Sequence, residues 1–416
     1  MITVIGLGFV GLTTGLGFAK KGFKTYGIDI NSERVNKLNN FEIPFHEPYL
    51  KEVLEETSGN TFFLNVPLEE AVKNSSAIFI CVGTPASADG SADISHLIAA
   101  IDQIIEVDSN TFKVLIVKST VPPSTLSDRV VPYVEEKIKS MNRKIGFASN
   151  PEFLREGYCW EDFIEPDRIV IGVEGDESKK ILQKLYKPFA APIHFVSYNS
   201  AEFIKYLSNT LLSTLISYSN EMSMIADKIG GIDIPAAFRI LHQDKRWSGN
   251  PAAMSSYVFP GCGYGGYCLP KDTMALDAIA HTNGLKTFVL SGNLKINDKI
   301  KDHLVAKIEI ELSKDASIGI LGLSFKPESD DVRITPAKDI IVKLIEKGYT
   351  NLSAYDPLAN HAFQEEYPDI EINYFDNLDS LLQNADNVLI LTGWKEFKDN
   401  IKKIKQKKVF DFRYIY

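Results

Sequence analysis

Short apolar segments alternate with amphipathic helical patterns through the first half of the chain. The apolar segments are residues 2–5, 25–28, 77–82, 114–117 and 145–148. Buried strands that alternate with helices are typical of a doubly wound parallel sheet. A second series of the same kind comprises residues 317–321, 352–355, 388–391 and 408–411. The pattern therefore predicts two α/β domains.

A long helical pattern from about Asn199 to Lys228 separates the two series. Asn199 and Glu202 have the spacing of a capping box at its start, and Gly230-Gly231 end it. Further helical patterns continue to about residue 310. We therefore expect the α/β class, with two Rossmann-like doubly wound domains, residues 1–198 and 311–416. A long central helix and helical region, residues 199–310, joins them.

The first strand ends in Gly6-Leu7-Gly8-Phe9-Val10-Gly11 and leads directly into a helix. In this context the glycines allow a tight turn, close approach of a pyrophosphate and close packing of helix on strand. Asp29 follows the second strand, where an acid binds a ribose diol and repels a 2′-phosphate. These residues predict an NAD site. The alternative role of Asp29 is to cap the helix that begins near Asn31.

A rival dehydrogenase pattern overlaps this one. Residues 11–17 match GxxxGxG, and Tyr133 with Lys137 matches YxxxK, both typical of short-chain dehydrogenases and epimerases. Gly15 and Gly17 are expected inside the first helix, where small residues permit close packing. Tyr133 and Lys137 are expected in a charged, exposed helix. We therefore interpret both matches as accidental.

Residues 260–272, PGCGYGGYCLPKD, contain four glycines and two prolines. This composition predicts a shaped loop followed by a helix from about Lys271. Cys268 then lies near a helix amino terminus and near a lysine, and both stabilise a thiolate. A small packing cysteine, the role expected of Cys81, is an equally good interpretation from these residues alone.

Composition excludes several classes of function. The net charge of -9 argues against nucleic acid as the main ligand. The four cysteines form no CxxC pair and the seven histidines are scattered, so neither disulfides nor a metal site is expected. The chain starts directly with a strand pattern, and no apolar run is long enough to span a membrane. We expect a cytoplasmic protein without a membrane partner.

Several ordered motifs lie along nearly the whole chain. They are residues 6–11, 83–85 (GTP), 118–122 (KSTVP), 150–157 (NPEFLREG), Lys205 with Asn209, the Cys268 loop and residues 322–333. Together these motifs resemble the UDP-glucose/GDP-mannose dehydrogenase family. The resemblance implies oxidation of C6 of a nucleotide sugar by two hydride transfers to NAD. The Cys268 thiolate adds to the aldehyde between the two transfers, and water hydrolyses the resulting thioester.

The resemblance also implies roles for individual residues. Lys205 and Asn209 lie one helical turn apart and would jointly stabilise oxyanionic intermediates, unless they belong to an exposed polar stripe. Asp272 would activate or position water, Glu152 would be the acid-base residue near C6, and Thr120 would hold that water. The implied cofactor-binding residues are Gly6, Gly8, Val10, Gly11, Asp29, Arg34, Thr84, Thr120, Glu156, Lys271 and Arg333. The implied substrate-binding residues are Glu152, Phe153, Leu154, Lys205, Asn209, Arg246, Tyr257, Gly265, Phe325, Lys326 and Arg413.

Arg246 resembles a family arginine that reaches the site of a neighbouring subunit. Residues 247–256 lengthen the usual interval between this arginine and the Cys268 loop, which leaves its role and the shape of the sugar pocket open. The family resemblance and the long central helix predict a homodimer.

The loop around Cys268 also bears on the sugar. Acetamido-sugar members of the family carry a GVGGHCIPVDP-like loop, which residues 264–273 do not resemble. The tyrosine-containing loop is similar to that of some bacterial members that act on UDP-glucose, whereas residues 269–272 (LPKD) also occur in GDP-mannose enzymes. We expect UDP-glucose, with the uronate product used in polysaccharide biosynthesis. GDP-mannose and a UDP-N-acetylhexosamine are the alternative substrates.

Two alternatives lie outside this class of enzyme. A non-catalytic sugar-nucleotide sensor would not require Cys268, Lys205, Asn209, Glu152 and Asp272 together. An epimerase with tightly held NAD would require a well-placed tyrosine-lysine pair. Both are therefore disfavoured.

Overall fold

The computed structural model describes residues 1–244, 258–284 and 286–416. The chain divides into two compact units, Met1–Leu207 and Ser208–Tyr416. Each unit contains a sheet whose strands alternate with helices, which confirms the predicted α/β class with two Rossmann-like sheets.

The first unit contains strands β1 to β8. They are β1 (Ile2–Ile5), β2 (Thr25–Ile28), β3 (Phe62–Phe63), β4 (Ala77–Ile80), β5 (Lys113–Val117), β6 (Ile145–Ser149), β7 (Ile169–Val173) and β8 (Ile193–Val196). Its helices are α1 (Phe9–Lys20), α2 (Ser32–Asn39), α3 (Leu50–Thr57), α4 (Leu68–Asn74), α5 (Ser95–Glu106), α6 (Val131–Ile138), α7 (Cys159–Ile164) and α8 (Asp176–Tyr186), with a π-helical turn (Leu126–Val130) and a 3₁₀ turn (Lys187–Phe189).

Helix α9 (Tyr198–Ile229) begins in the first unit and continues into the second. The described helices that follow are α10 (Ile234–Leu241), α11 (Cys268–Thr282), α12 (Val289–Glu311), α13 (Pro336–Glu346), α14 (Asn360–Glu366), α15 (Leu378–Asn384), α16 (Lys395–Asp399) and α17 (Ile401–Ile404). The described strands are β9 (Ile318–Leu321), β10 (Leu352–Tyr355), β11 (Asn373–Tyr374), β12 (Asn387–Ile390) and β13 (Lys408–Asp411).

The first sheet has the order β3-β2-β1-β4-β5-β6-β7-β8. Its strands pair in parallel except at β6 and β7, which are antiparallel. Strand β5 shows why the sequences of these strands are continuously apolar. Val114 and Ile116 enter one hydrophobic core, and Leu115 and Val117 enter another on the opposite face, because successive side chains of a strand alternate.

The second sheet has the order β11-β10-β9-β12-β13, and all its pairs are parallel. Helix α12 contributes Ile300, Leu304 and Ile308 to the core that contains Ile318 and Ile320 of β9. The last helix before the second strand series is therefore packed within this unit.

The predicted capping residues at the start of the central helix were wrong. The Ser197 hydroxyl accepts the hydrogen bond from the Ser200 N–H at 3.2 Å, so Ser197 takes the capping role expected of Asn199. The Glu202 carboxylate instead accepts N–H groups of Thr125 and Leu126, at 3.2 and 3.0 Å. The predicted end is confirmed, because Gly230 and Gly231 have φ of 77° and 72°.

Candidate active site

One group of candidate residues lies at the carboxyl edge of the first sheet. Strands β1, β2, β4, β5 and β6 are parallel, so the segments that follow them meet at one edge. These segments carry the glycine loop, Asp29, Thr84, Thr120 and Glu152.

The three motif glycines have different surroundings. Gly6 has φ of +87°, and a Cβ on it would lie 2.8 Å from the Cys81 carbonyl oxygen. A Cβ on Gly11 would lie 1.7 Å from the Gly6 oxygen. A Cβ on Gly8 would meet no atom within 4 Å, and Val10 lies beside it in the first turn of α1. Gly6 and Gly11 therefore leave no room for a side chain, whereas space remains beside the backbone of Gly8. This space at a helix amino terminus fits a pyrophosphate.

Asp29 does not cap helix α2. The Asn31 side chain caps it by accepting the Arg34 N–H at 2.9 Å. The Asp29 Oδ2 atom accepts the Leu7 N–H at 2.6 Å and lies 2.9 Å from Arg34 Nη1. One carboxylate thus links the glycine loop, the end of β2 and a cation, as expected for a ribose-binding acid of an NAD site.

Two further cofactor candidates lie in loops fixed by backbone contacts. The Thr84 hydroxyl donates to the Thr120 carbonyl at 2.8 Å, which brings these two candidates together. The turn that contains Glu156 is held by Glu47, whose carboxylate accepts the N–H groups of Gly157 and Cys159 at 2.9 and 2.6 Å. The sequence analysis did not identify Glu47, because a single acidic residue between two prolines does not form a recognisable motif.

Glu152 and Lys205 form a buried ion pair. Glu152 Oε1 lies 2.9 Å from Lys205 Nζ, with side-chain exposures of 6% and 4%. Glu152 Oε2 accepts the Leu154 N–H at 2.6 Å, and the Lys205 ammonium lies 5.7 Å from the centre of the Phe153 ring. Burial alone would raise the pKa of Glu152, but the charge and hydrogen bond of Lys205 hold it below its usual value. Glu152 is therefore held in its ionised form.

A second buried lysine, Lys118, was not predicted as a site residue. Its Nζ lies 3.2 Å from Oδ1 and 3.4 Å from the carbonyl oxygen of Asn150, which stands two residues before Glu152. Burial lowers the pKa of Lys118 to about 8, although the charge of Glu152 acts in the opposite direction. A motif lysine at a strand end was the available signal, but sequence alone does not show its burial.

The second group of candidate residues lies in and around the Cys268 loop. Cys268 is the first residue of α11, three residues earlier than predicted. The N–H groups of the first turn have no partners within the helix, so they and the helix dipole favour negative charge at this position. Burial raises the pKa of both Cys81 and Cys262 to about 12, which suits packing thiols. Cys268 is partly exposed.

Asp272 lies one turn after Cys268 on the same face of α11. Asn209 Nδ2 donates to Asp272 Oδ2, and Lys271 Nζ lies 2.7 Å from Asp272 Oδ1. Asp272 has no solvent exposure, and Asn209 and Lys271 are 8% and 3% exposed. The carboxylate is thus oriented by an amide and an ammonium, and it adjoins the thiol in the helix.

Lys205 and Asn209 are both buried, at 3% and 8% exposure. This excludes the exposed polar stripe as their role. Each instead belongs to a hydrogen-bonded or ionic pair, with Glu152 and Asp272 respectively. Their predicted shared face follows from the four-residue spacing on α9.

Helix α12 holds the Cys268 loop through asparagines that sequence reasoning missed. Asn297 Oδ1 accepts the Tyr264 N–H at 2.8 Å, and Asn297 Nδ2 donates to the Tyr264 carbonyl at 3.1 Å. The Tyr264 hydroxyl donates to Asn293 Oδ1 at 2.5 Å. On α9, Asn220 accepts the Gly261 N–H at 2.7 Å. The available signal was two asparagines one turn apart, Asn293 and Asn297, in an amphipathic helical pattern.

Several predicted substrate and cofactor residues surround the same loop. A Cβ on Gly265 would lie 3.2 Å from Phe325 Cβ, and the Gly266 N–H donates to the Arg333 carbonyl at 3.0 Å. Lys326 Nζ lies 5.4 Å from the Phe325 ring centre. The Tyr267 ring lies 5.6 Å from Lys271 Nζ and 5.0 Å from Arg333 Cζ.

Arg413 lies at the other end of the loop. A Cβ on Gly261 would be 2.8 Å from Arg413 Nη1, so this guanidinium contacts the backbone just before Cys262. Arg246 and Tyr257 lie outside the described residues.

The rival dehydrogenase pattern is explained by packing. A Cβ on Gly15 or Gly17 would clash with the Phe62 or Phe163 ring, so both glycines permit close packing around α1. The Tyr133 hydroxyl and the Lys137 ammonium both contact Asp102 of α5, at 2.9 and 2.8 Å.

Neither a metal centre nor a membrane span is found in the part of the chain that the structure describes. Within these residues no cluster of three histidine, cysteine or acidic side chains could hold a metal ion. The described helices include none with the length and hydropathy to cross a bilayer.

Three family models match the chain. The NAD binding domain of the UDP-glucose/GDP-mannose dehydrogenase family matches residues 1–190, its central domain residues 199–299, and its UDP binding domain residues 319–416. A UDP-glucose 6-dehydrogenase of Rickettsia bellii is 37% identical over 408 residues, which cover 95% of this chain and 90% of that protein.

Solved structures of similar proteins cover the whole chain. A UDP-glucose dehydrogenase from Pyrobaculum islandicum superposes with a TM-score of 0.91 at 34% identity, over 100% of this chain and 94% of that one. A UDP-D-ManNAc dehydrogenase from Pyrococcus horikoshii gives a TM-score of 0.83 at 27% identity, over 100% and 96% of the two chains.

Proposed function

The chain belongs to the UDP-glucose/GDP-mannose dehydrogenase family, and on this premise we propose that it oxidises UDP-glucose to UDP-glucuronate. The observation that carries the proposal is the pairing of Cys268, at the start of α11, with Asp272 one turn later. Asp272 is held by Asn209 and Lys271. A nucleophilic thiol beside an oriented carboxylate suits the formation and hydrolysis of a thioester.

NAD is the cofactor, and when bound it accepts a hydride in each of two oxidation steps. The chain's own contribution is to bind and orient it. The open backbone at Gly8 would approach the pyrophosphate, and Asp29 would accept hydrogen bonds from the adenosine ribose. Arg34, Thr84, Thr120, Glu156, Lys271 and Arg333 complete the proposed cofactor set.

In the first oxidation, Glu152 acts as the acid-base residue at the C6 hydroxyl. Its ionised form is held by Lys205, whose charge also stabilises the developing alkoxide. The Cys268 thiolate then adds to the aldehyde. Lys205 and Asn209 stabilise the oxyanion of this adduct.

The second oxidation leaves the acid group as a thioester on Cys268. Asp272 accepts a proton from water as the water attacks this thioester, and Thr120 helps to place the water. Release of the carboxylate returns the Cys268 thiolate. The oriented Asp272 carboxylate is therefore assigned to hydrolysis rather than to hydride transfer.

The nucleotide sugar is proposed to bind through Phe325, Lys326, Gly265 and Arg413, together with Phe153 and Leu154. Tyr257 and Arg246 complete the sequence-based set, outside the described residues. Cationic groups match the diphosphate of the substrate. Residues 1–198 would form the NAD domain, 199–310 the connector with the catalytic loop, and 311–416 the nucleotide-sugar domain.

The chain is further proposed to act in the cytoplasm and to supply an activated sugar acid for polysaccharide synthesis. The four cysteines, all among the described residues, form no disulfide, which suits a reducing compartment. The product keeps UDP as a leaving group, so the uronate remains an activated glycosyl donor.

A homodimer is proposed from the exposed face of α9. Phe203, Leu207, Leu211 and Tyr218 repeat at helical spacing and are 45% to 54% exposed. The polar face of the same helix is buried, with Asn209, Ser213 and Asn220 at 8% exposure or less. An exposed apolar face opposite a buried polar one is typical of a subunit interface. In a two-fold dimer, the apolar face of α9 in one copy would pack against the same face in the second copy.

The test measures NADH released per molecule of limiting UDP-glucose, with excess NAD, followed to completion. We expect about two NADH and one UDP-glucuronate for each UDP-glucose. One NADH with accumulating aldehyde would refute the thioester route. Parallel assays with GDP-mannose and UDP-N-acetylmannosamine decide the substrate, and faster turnover of either would replace UDP-glucose in the proposal. Cys268→Ser should form almost no acid while still binding NAD.

A further inference from the structure

The proposed nucleophile Cys268 and the carboxylate proposed to activate water, Asp272, lie in one unit. Cys268, Lys271 and Asp272 belong to the first two turns of α11, and their partner Asn209 is also in the unit Ser208–Tyr416. The glycine loop and Asp29 belong to the other unit, Met1–Leu207. The contacts from Asn209 and Lys271 that hold Asp272 therefore lie within one unit, and the glycine loop and Asp29 are not part of that unit.

We infer that Cys268 and Asp272 form an acyl-transfer centre that hydrolyses small activated esters in the absence of NAD. The inference rests on the proposed function, because it assigns the same two residues to thioester formation and hydrolysis. It goes beyond that function in its substrate class, which is aryl esters of short carboxylic acids, and in requiring no redox step.

The reaction balances without an oxidant. The Cys268 sulfur attacks the ester carbonyl carbon, the bond from that carbon to the aryloxy oxygen breaks, and the phenolate leaves with the electron pair. Water then adds to the acyl thioester while Asp272 accepts its proton. The carbon–sulfur bond breaks, the carboxylic acid leaves, Cys268 returns as a thiolate, and Asp272 releases the proton to solvent.

The position of Cys268 supports the first half of this reaction. The thiol is partly exposed, so a small ester can approach it. The first-turn N–H groups of Cys268 and Leu269 point out of the helix start, where they can stabilise both a thiolate and the oxyanion of a tetrahedral adduct. Lys271 adds a positive charge within one turn, and its ion pair with Asp272 limits repulsion between that carboxylate and the thiolate.

Asp272 supports the second half. It is fully buried and its two oxygens face different partners, the Asn209 amide and the Lys271 ammonium. These partners fix the carboxylate one turn from Cys268. A carboxylate so placed can accept a proton from water that attacks an acyl group on the sulfur.

The other described thiols are poor candidates for acylation. Burial raises the pKa of Cys81 and Cys262 to about 12 and raises that of Cys159 well above its usual value. Thiols that stay protonated are weak nucleophiles. Ester cleavage should therefore depend on Cys268 alone among these residues.

The experiment follows 4-nitrophenolate release from 4-nitrophenyl acetate by the full chain without NAD. We expect a burst of about one nitrophenolate per chain, followed by slower steady turnover. Cys268→Ser should lose the burst, and Cys159→Ala should keep it. Asp272→Asn should keep the burst but slow the steady phase about tenfold or more. Thermal unfolding of each variant confirms that it is folded.

Each outcome decides a separate point. A missing burst, or an undiminished burst in Cys268→Ser, overturns the acyl-transfer centre. An unchanged steady phase in Asp272→Asn removes Asp272 from it. The same preparation is assayed for NADH with UDP-glucose. Two NADH without ester cleavage refute this inference alone, whereas a Cys268-dependent burst without any sugar oxidation refutes the proposed function and leaves the inference standing.

Discussion

At the scale of single residues, Asp29 has an observed structural role and a proposed recognition role. Its Oδ2 atom accepts the Leu7 N–H from the glycine loop and contacts Arg34. The same carboxylate is proposed to bind the ribose diol of NAD and to repel a 2′-phosphate. The Asp29 carboxylate holds Arg34 in place, and its negative charge would oppose the 2′-phosphate of NADP. Without that negative charge, the Arg34 guanidinium would favour binding of the phosphate.

Asp29→Asn should therefore shift cofactor preference. The asparagine oxygen can still accept the Leu7 N–H, but the negative charge is lost. We expect kcat/KM for NAD to fall about tenfold, as for one hydrogen bond to a charged group, and kcat/KM for NADP to rise. Steady-state kinetics with both cofactors measures the ratio. Asp108→Asn breaks a surface pair with Arg143 in the same unit and should leave that ratio unchanged.

Lys118→Met tests the electrostatics around Glu152. The charge of Lys118 helps to keep the pKa of Glu152 low, in addition to the larger effect of Lys205. The pKa of Lys118 is about 8, so this lysine is charged throughout the acidic range in which Glu152 titrates. Its removal raises the pKa of Glu152. The low-pH limb of kcat/KM should then move to higher pH.

Strand β5 offers a matched control for this variant. Lys113 stands at the opposite end of the strand, is 5% exposed, and donates to the carbonyls of Lys73 and Ser75. Lys113→Met also removes a buried lysine but does so at the other edge of the sheet. An equal displacement of the pH profile in both variants would show that Lys118 has no specific effect on Glu152.

The residues proposed for the chemistry carry more signal in the sequence than the residues that hold them. Cys268, Lys205 and Glu152 lie in ordered motifs, because their chemistry restricts residue type and spacing. Glu47 acts through backbone contacts formed only after distant segments meet. Its hydrogen bonds depend on tertiary structure, and a single sequence contains no periodic signal for it.

At the scale of elements, helices α9 and α12 carry buried polar groups at turn spacing. Asn293 and Asn297 of α12 contact Tyr264, and Asn293 Nδ2 lies 3.3 Å from the Ser213 hydroxyl of α9. Ser213 in turn contacts Thr273, the residue after Asp272. This network connects the start of the Cys268 loop with the helix that follows it. Such a buried, fully partnered network favours one conformation of the loop.

Tyr264→Phe should loosen this loop. The change leaves Asn293 Oδ1 without its hydroxyl partner and should lower stability by about 1 to 3 kcal/mol. Because the network connects the loop with Thr273 on α11, alkylation of Cys268 by iodoacetamide should change in rate. Thermal unfolding and timed mass spectrometry measure the two effects.

Tyr349→Phe distinguishes loop positioning from general destabilisation. Tyr349 is fully buried in the same unit, and its hydroxyl donates to the Leu312 carbonyl at 3.0 Å. Its removal should lower stability by a similar amount and leave the alkylation of Cys268 unchanged. If both variants alter the alkylation rate equally, Tyr264 has no special role in positioning the loop.

Elements were predicted well where their pattern was long or strongly apolar. The central helix and most strands of both series were confirmed, within one or two residues at their ends. Strands β3, β7, β8 and β11 were missed. They have two to five residues, and a short apolar segment does not distinguish a strand from part of a helix. The reversal of direction at β7 is set by the connection rather than by composition.

At the scale of the whole molecule, α9 is an amphipathic helix whose polar face is buried and whose apolar face is exposed. Its exposed face is apolar at Leu207 and Leu211, whereas its buried face carries Lys205 and Asn209. Burial of the polar face is explained by the ion pair and hydrogen bond that it makes. Exposure of the apolar face is explained by the proposed pairing with a second copy, which would remove this surface from water.

Leu207→Glu combined with Leu211→Glu should convert the dimer to a monomer. Two carboxylates on each copy would be desolvated and would repel each other across a two-fold interface. Light scattering after gel filtration measures the mass, and circular dichroism confirms the fold. Leu358→Glu, at a side chain that is 41% exposed in the C-terminal part of the chain, is the matched control and should leave the mass unchanged. A monomeric wild type, or a double variant that still dimerises, would exclude this face of α9 as the subunit interface.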